Sequence, residues 1–168
     1  MTPRRTFRPT RLARRTSPPG MRAIGWLAGV LALWLVALPF AVDGAISVLR
    51  PATSETGSCR ILRVVDGDTV NLWCARGGHV KARLLGYDSP EVFSPRCLSE
   101  FLRAQHATWF LRWSLLTGKA LHVILHDRDR YGRRLVELTV DGQPVAKTMI
   151  DRGLGRGYQG GQRQGWCD

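Results

Sequence analysis

The 168-residue chain has room for one domain of ordinary size and an appendage, and its formal charge is +12. Seven arginines and no acid fall within residues 1–22, and the rest of the chain carries +5. This excludes reading the whole charge excess as a property of a folded domain. The basic remainder still suits a polyanionic partner such as nucleic acid.

Residues 1–22, rich in Arg, Pro and Thr, read as a disordered tail. Ala23 to Val42 is a run of 20 uncharged residues. As a helix it would be about 30 Å long, matching the hydrocarbon core of a bilayer. The arginines lie on one flank only, so the positive-inside rule keeps the tail in the cytoplasm and sends the remainder across. Two outcomes follow. A retained signal anchor is favoured by the long apolar run, and a cleaved signal peptide would use the small-residue site Val42-Asp43-Gly44. Residues 43–58 read as a linker and 59–168 as the exported domain.

Within that domain Ile61–Val65 and Thr69–Trp73 are β-branched, apolar runs on either side of Asp66-Gly67, a strong hairpin signal. If Asp66 and Gly67 form the two-residue loop, Val65 faces Asp68 and Cys59 faces Cys74. A hydrogen-bonded facing pair, about 5.5 Å apart at Cα, lies within disulfide range. Val80–Tyr87 is a third strand. Ser94-Pro95 opens a helix running to about Thr117, with Phe101, Ala104, Thr108, Leu111 and Leu115 on one face and Gly118 ending it. Leu121, Val123 and Leu125 alternate in a fourth strand, and Val136, Leu138 and Val140 in a fifth. Asp141-Gly142 then leads into a short helix, Pro144–Arg152, stopped by Gly153. The order fits an α+β fold, a five-stranded OB-type β-barrel with two helices, preceded by the tail and the apolar helix. One face of such a barrel is a frequent nucleic-acid site.

Four segments carry chemistry: Val65-Asp66-Gly67-Asp68-Thr69-Val70, Arg83-Leu84-Leu85-Gly86-Tyr87-Asp88-Ser89-Pro90-Glu91, Cys97-Leu98-Ser99-Glu100 and Asp129-Arg130-Tyr131-Gly132-Arg133. Asp68 at the start of the second strand and Asp88 at the end of the third would share one rim, where two like charges need a cation. Oxygen-only ligation suits a hard ion such as Ca²⁺. Taken singly, each acid reads equally well as a turn residue, and Arg83 as a solvent-facing strand residue.

In this order, and with Gly153-Leu154 after the last helix, the segments resemble the staphylococcal nuclease (thermonuclease) family over roughly residues 60–157. The resemblance implies a Ca²⁺-dependent phosphodiesterase acting on DNA, RNA or both, leaving 3′-phosphate ends. It implies that Asp68 and Asp88 ligate Ca²⁺ through side chains and Ser89 through its carbonyl. Thr is frequent in the family at the Ser89 position, a swap that a backbone ligand tolerates. Glu91 corresponds to the general base or water-orienting carboxylate. Arg83 and Arg133 correspond to the arginines on the scissile phosphate, where a planar guanidinium donates two parallel hydrogen bonds. Arg130 and Tyr131 match terminal-phosphate contacts, with Lys the usual residue at the first. Tyr158 lies one residue from the family's base-stacking tyrosine, and a core or interface role reads equally well. The family's third helix is missing, replaced by Gln159–Asp168.

Arg134 reads as a solvated strand residue. The four histidines form no catalytic set, and the cysteines lack zinc spacing. Export favours pairing them as Cys59–Cys74 and, by elimination, Cys97–Cys167. The rival class is a non-catalytic nucleic-acid-binding module on the same barrel, against which the retained acids and arginines speak. A third reading, a membrane protein whose exported domain binds a protein partner, leaves those residues unexplained. The domain is expected to be monomeric, and no protein partner is implied.

Overall fold

The computed structural model describes residues 19–55 and 57–167. Most of the arginine-rich tail therefore lies outside the described residues; its last four positions begin a helix. The chain divides into two units, residues 1–37 and Leu38–Asp168. Helix α1 (Pro19–Leu49) contributes to both. Its stretch Trp26–Leu49 is long and apolar enough, by length and composition, to cross a membrane. Within the first unit Trp26, Leu27 and Trp34 are exposed.

The second unit is a barrel. Strands β1 (Ala52–Ser54), β2 (Gly57–Asp66), β3 (Thr69–Cys74), β4 (Gly78–Leu84), β6 (Leu121–Arg128) and β7 (Arg134–Val140) hydrogen-bond in the order β4-β3-β2-β1-β6-β7. A parallel β4–β7 pairing closes the ring. The short β8 (Gln143–Pro144) extends β7, and β5 (Gly86–Asp88) pairs separately with β9 (Arg156–Tyr158). The barrel thus has six strands rather than the five expected, plus one extra. Period-2 alternation puts Val64, Val70, Leu72, Ala82, Val123 and Val136 inside, each fully buried.

The added strand comes from the stretch expected to be a linker. β1 pairs with β2 on one side and with β6 on the other. Just before it, Ile46 is fully buried in the core, and Arg50 Nε donates to the Leu116 carbonyl at 2.8 Å, near the end of α2. Asp43 pairs with Arg112 at 2.9 Å, both buried. Residues 43–54 are therefore structural members of the domain.

Helix α2 (Leu98–Thr117) starts three residues later than Ser94-Pro95 suggested. Cys97 is the N-cap and makes no side-chain cap bond. Instead the Glu100 carboxylate accepts from the Arg96 amide at 2.7 Å, satisfying an entry-turn donor. Ala104, Ala107, Thr108, Leu111 and Leu115 form the buried face, while Phe101 lies at its margin, 37% exposed. Gly118 ends the helix at φ −60°, so it is no left-handed cap. Space explains it: an added Cβ would lie 2.4 Å from Val140 Cγ1. Helix α3 (Val145–Asp151) does stop at a left-handed glycine, Gly153 at φ 68°.

The β2–β3 hairpin departs from the expected register. Asp66 faces Thr69, so Gly67 and Asp68 form the loop and Asp68 lies in the turn, not the strand. Two irregularities, at Ile61/Arg63 and Val64/Asp66, shift the pairing so that Cys59 still faces Cys74. The two are disulfide-bonded with Cα atoms 4.0 Å apart, nearer the spacing of a non-hydrogen-bonded pair. The second bond, Cys97–Cys167, is also present and ties the chain end to the start of α2.

Candidate nuclease site

Topology brings two arginine-bearing segments to one rim. In the parallel β4–β7 ladder Arg83 faces Leu135, and Arg133 directly precedes β7. Both line a groove of about 1340 Å³ together with Lys81, Glu91, Tyr131 and Tyr158.

At its floor the buried Arg83 guanidinium bridges two carboxylates, Nη1 to Asp68 Oδ2 at 3.1 Å and Nη2 to Asp88 Oδ1 at 3.2 Å. Asp68 Oδ1 accepts from Thr69 Oγ1 at 2.9 Å, and its Oδ2 from the Ser89 amide at 3.4 Å. The sequence folds this way because the Gly67-Asp68 loop lies tightly on the β5 exit. A Cβ on Gly67 would stand 2.8 Å from Ser89 Oγ and 3.0 Å from Ala107 Cβ. The buried Tyr87 hydroxyl donates to the Gly67 carbonyl at 2.6 Å, locking the loop. Gly67 is thus required for closeness; its φ is not positive.

Burial, with the neighbouring Asp66 charge, pushes the Asp68 carboxyl up to about 6 against the lowering effect of Arg83. Burial and the charges of Asp68 and Asp66 likewise push the Tyr87 phenol well up. Three carboxylates, Asp68, Asp88 and Glu91, thus converge on two guanidinium groups, Arg83 and Arg163. The set offers oxygen donors only and holds surplus negative charge, which fits a hard divalent cation.

Arg133 belongs to a second cluster. Its Nε and Nη2 reach Asp129 Oδ2 at 2.8 and 2.7 Å. Asp129 Oδ1 accepts from the Tyr131 and Arg133 amides, both at 2.9 Å, forming a turn that Gly132 closes at φ 77°. Burial pushes the Asp129 carboxyl upward, but these hydrogen bonds and the Arg133 charge outweigh it and hold the group below its usual range. Arg130 and Arg133 both approach the exposed Tyr131 ring, at 4.9 and 5.5 Å. Tyr158, on β9, lies 5.5 Å from the Arg83 guanidinium, and its hydroxyl donates to Gly161.

Sequence reasoning missed the partners on the C-terminal segment. Arg163 Nε contacts Asp88 Oδ1 at 2.9 Å and its Nη1 contacts Glu91 Oε1 at 2.7 Å. The charges of Asp88, Asp68 and Glu91 raise its basicity, outweighing the opposite effect of burial. The buried Trp166 indole approaches Asp88 Oδ2 at 3.4 Å. Lone Arg and Trp residues in a Gly/Gln-rich run carry no local signal for this placement.

The family model described as "Staphylococcal nuclease homologue" matches residues 81–165. Two proteins from Escherichia coli, one of them from strain O157:H7, each named "Uncharacterized endonuclease", are 32% identical over 103 residues, 60% of this chain. A Haemophilus influenzae protein of the same name is 24% identical over 119 residues, 67% of this chain. The chain spans about 60% of the length of these curated relatives. With half of its length matched by the model, on a barrel that lines one groove with Arg83, Glu91, Asp129 and Arg133, the chain belongs to the staphylococcal nuclease homologue family.

Proposed function

We propose that the protein is a Ca²⁺-dependent nuclease hydrolysing phosphodiester bonds of DNA or RNA in the groove between β4, β7 and the C-terminal segment. The observation that carries this reading is the buried Arg83 held between Asp68 and Asp88 at the groove floor, with the Glu91 carboxylate at its edge. Asp68 and Asp88, with the Ser89 carbonyl, would hold the cation. When bound, it supplies positive charge to neutralise the phosphodiester and to acidify a water.

The chain's own groups do the rest. Glu91 orients the attacking water and accepts its proton. Arg83 donates to the scissile phosphate, where its charge matters most as negative charge accumulates on the equatorial oxygens. Arg133, prealigned by Asp129, supplies a second guanidinium. Arg130 and Tyr131 contact the next phosphate, and the Tyr158 ring offers a stacking face for a base. Attack on phosphorus with departure of the 5′-oxygen leaves 3′-phosphate ends.

The site works outside the cytoplasm in this reading, with α1 retained as the anchor. Two disulfides suit an oxidising compartment. Cleavage after Gly44 would remove Asp43 and leave the buried Arg112 without its carboxylate. That favours retention over the cleaved signal.

Incubation of the purified protein with DNA and with RNA, in Ca²⁺ or in chelator, tests the activity. Hydrolysis with Ca²⁺ only is expected, falling by at least about 100-fold in Arg83→Lys, because a lysine cannot reproduce the bidentate contact. Full activity in chelator, or an Arg83→Lys enzyme near the wild-type rate, would remove the basis of the proposal. Binding without cleavage would point to the non-catalytic module.

A further inference from the structure

We propose that Arg163 is a positioning residue for the Glu91 carboxylate, carried to the site by a C-terminal segment that the Cys97–Cys167 disulfide staples to α2. The inference rests on the nuclease reading above and adds to it a residue from outside the shared motifs.

Glu91 needs a holder. It lies in the irregular stretch between β5 and α2, with its side chain 45% exposed. A carboxylate there samples several rotamers, and a water-orienting group must occupy one of them. Arg163 supplies the constraint. One planar guanidinium contacts Asp88 through Nε at 2.9 Å and Glu91 through Nη1 at 2.7 Å. Asp88 is buried and fixed by Arg83 and β5, so the rigid fork transfers its position to Glu91.

The segment is built for this task. Gly160 and Gly161, at φ 106° and 94°, bend the chain back from β9. Arg156 stacks on the Trp166 ring at 4.0 Å and donates to the Gly165 carbonyl at 2.7 Å. Arg103 of α2 donates to the Trp166 carbonyl at 3.3 Å. Four residues beyond Arg163 the disulfide closes the arrangement, with Cα atoms 5.9 Å apart. The tether and the guanidinium thus act on Glu91 as one device.

Steady-state hydrolysis of a defined oligonucleotide with Ca²⁺ tests this in the full chain, using wild type, Arg163→Gln, Arg163→Lys, Cys97→Ser/Cys167→Ser and the triple variant. Calorimetric Ca²⁺ binding is measured on each. Arg163→Gln should lower kcat by roughly 10- to 100-fold while KM stays within about 3-fold. Lysine, which keeps the charge without the rigid planar fork, should restore part of the loss. The cysteine pair should reproduce the loss, and Arg163→Gln should add less than about 3-fold in that background. Ca²⁺ should bind Arg163→Gln at least as tightly as wild type, because a positive charge has left the site. A wild-type or higher kcat in Arg163→Gln would overturn the proposal, the higher value marking an inhibitory contact. Weakened Ca²⁺ binding would show a collapsed site instead, and full additivity with the cysteine pair would refute the tether. An inactive wild type would overturn this proposal together with the nuclease reading.

Discussion

Arg112 and Arg83 are both buried arginines paired with aspartate, and they sit in opposite electrostatic settings. Arg112 contacts both oxygens of a single carboxylate, Asp43, at 2.9 and 3.4 Å. It also donates to the Val64 carbonyl beside a β-bulge at 2.7 Å and lies 5.2 Å from the Trp109 ring. Its charge is cancelled one for one. Arg83 is shared between Asp68 and Asp88 in a region that also holds Glu91, and burial together with the Asp66 charge leaves the Asp68 carboxyl with a pKa of about 6. Burial alone therefore does not distinguish the closed ion pair from the one proposed for function. The balance of charge does: the closed pair joins α1 to α2, and the unbalanced one has capacity left for a cation.

The largest effect should come from breaking the closed pair. Asp43→Ala leaves a buried guanidinium uncompensated and should cost about 3–5 kcal/mol. A fall in the urea midpoint of that size, with the Arg83 site intact at low denaturant, would support the comparison; a loss under 1 kcal/mol would break it.

The unbalanced pair should behave in the opposite sense. In chelator the folded Asp68 pKa of about 6 lies above its ordinary 3.8, so the folded state binds more protons between those values. Its contribution is least unfavourable below pH 4 and becomes destabilising as pH rises through 6, by about 3 kcal/mol at full ionisation. Asp68→Asn should therefore raise metal-free stability at pH 8 by up to that amount and change little at pH 4. Added Ca²⁺ should stabilise wild type and not the variant. A variant less stable than wild type at pH 8 would show that the Arg83 pairing outweighs desolvation.

Smallest of all should be Arg134→Ala, whose guanidinium belongs to neither cluster. Activity within about 2-fold of wild type and stability within about 0.5 kcal/mol are expected. A large loss would extend the proposed set of functional arginines beyond Arg83 and Arg133.

The sequence made legible whatever depends on local chemistry or near neighbours: the alternating strands, the stop at Gly153 and the pairing of Cys59 with Cys74. Motif order also placed Asp68, Arg83, Asp88, Glu91 and Arg133 close to one groove, since neighbouring strands must carry their ends to a common rim. Two Asp-Gly dipeptides mark where that legibility stops. Asp141-Gly142 is the tight turn its residues suggest, with φ 51° and 77°, and the Asp141 carboxylate accepts from the Lys119 and Ala120 amides. Asp66-Gly67 has the same local propensity, yet tertiary packing moved the turn on by one residue. The contacts of Gly67 with Ser89 and Ala107 decided that, and with it the placement of Asp68 in the loop.

The recruitment of residues 43–54 into the barrel, and of Arg163 and Trp166 into the site, has the same origin. A lone acid in an apolar stretch or an arginine in a glycine-rich one has no periodicity to read. Its partner, 69 residues away for Asp43 and 72 for Glu91, exists only once the barrel has closed. Local propensity and motif order determined the elements and the family of this protein. Long-range packing decided which arginine–carboxylate cluster is balanced one for one and which holds surplus negative charge.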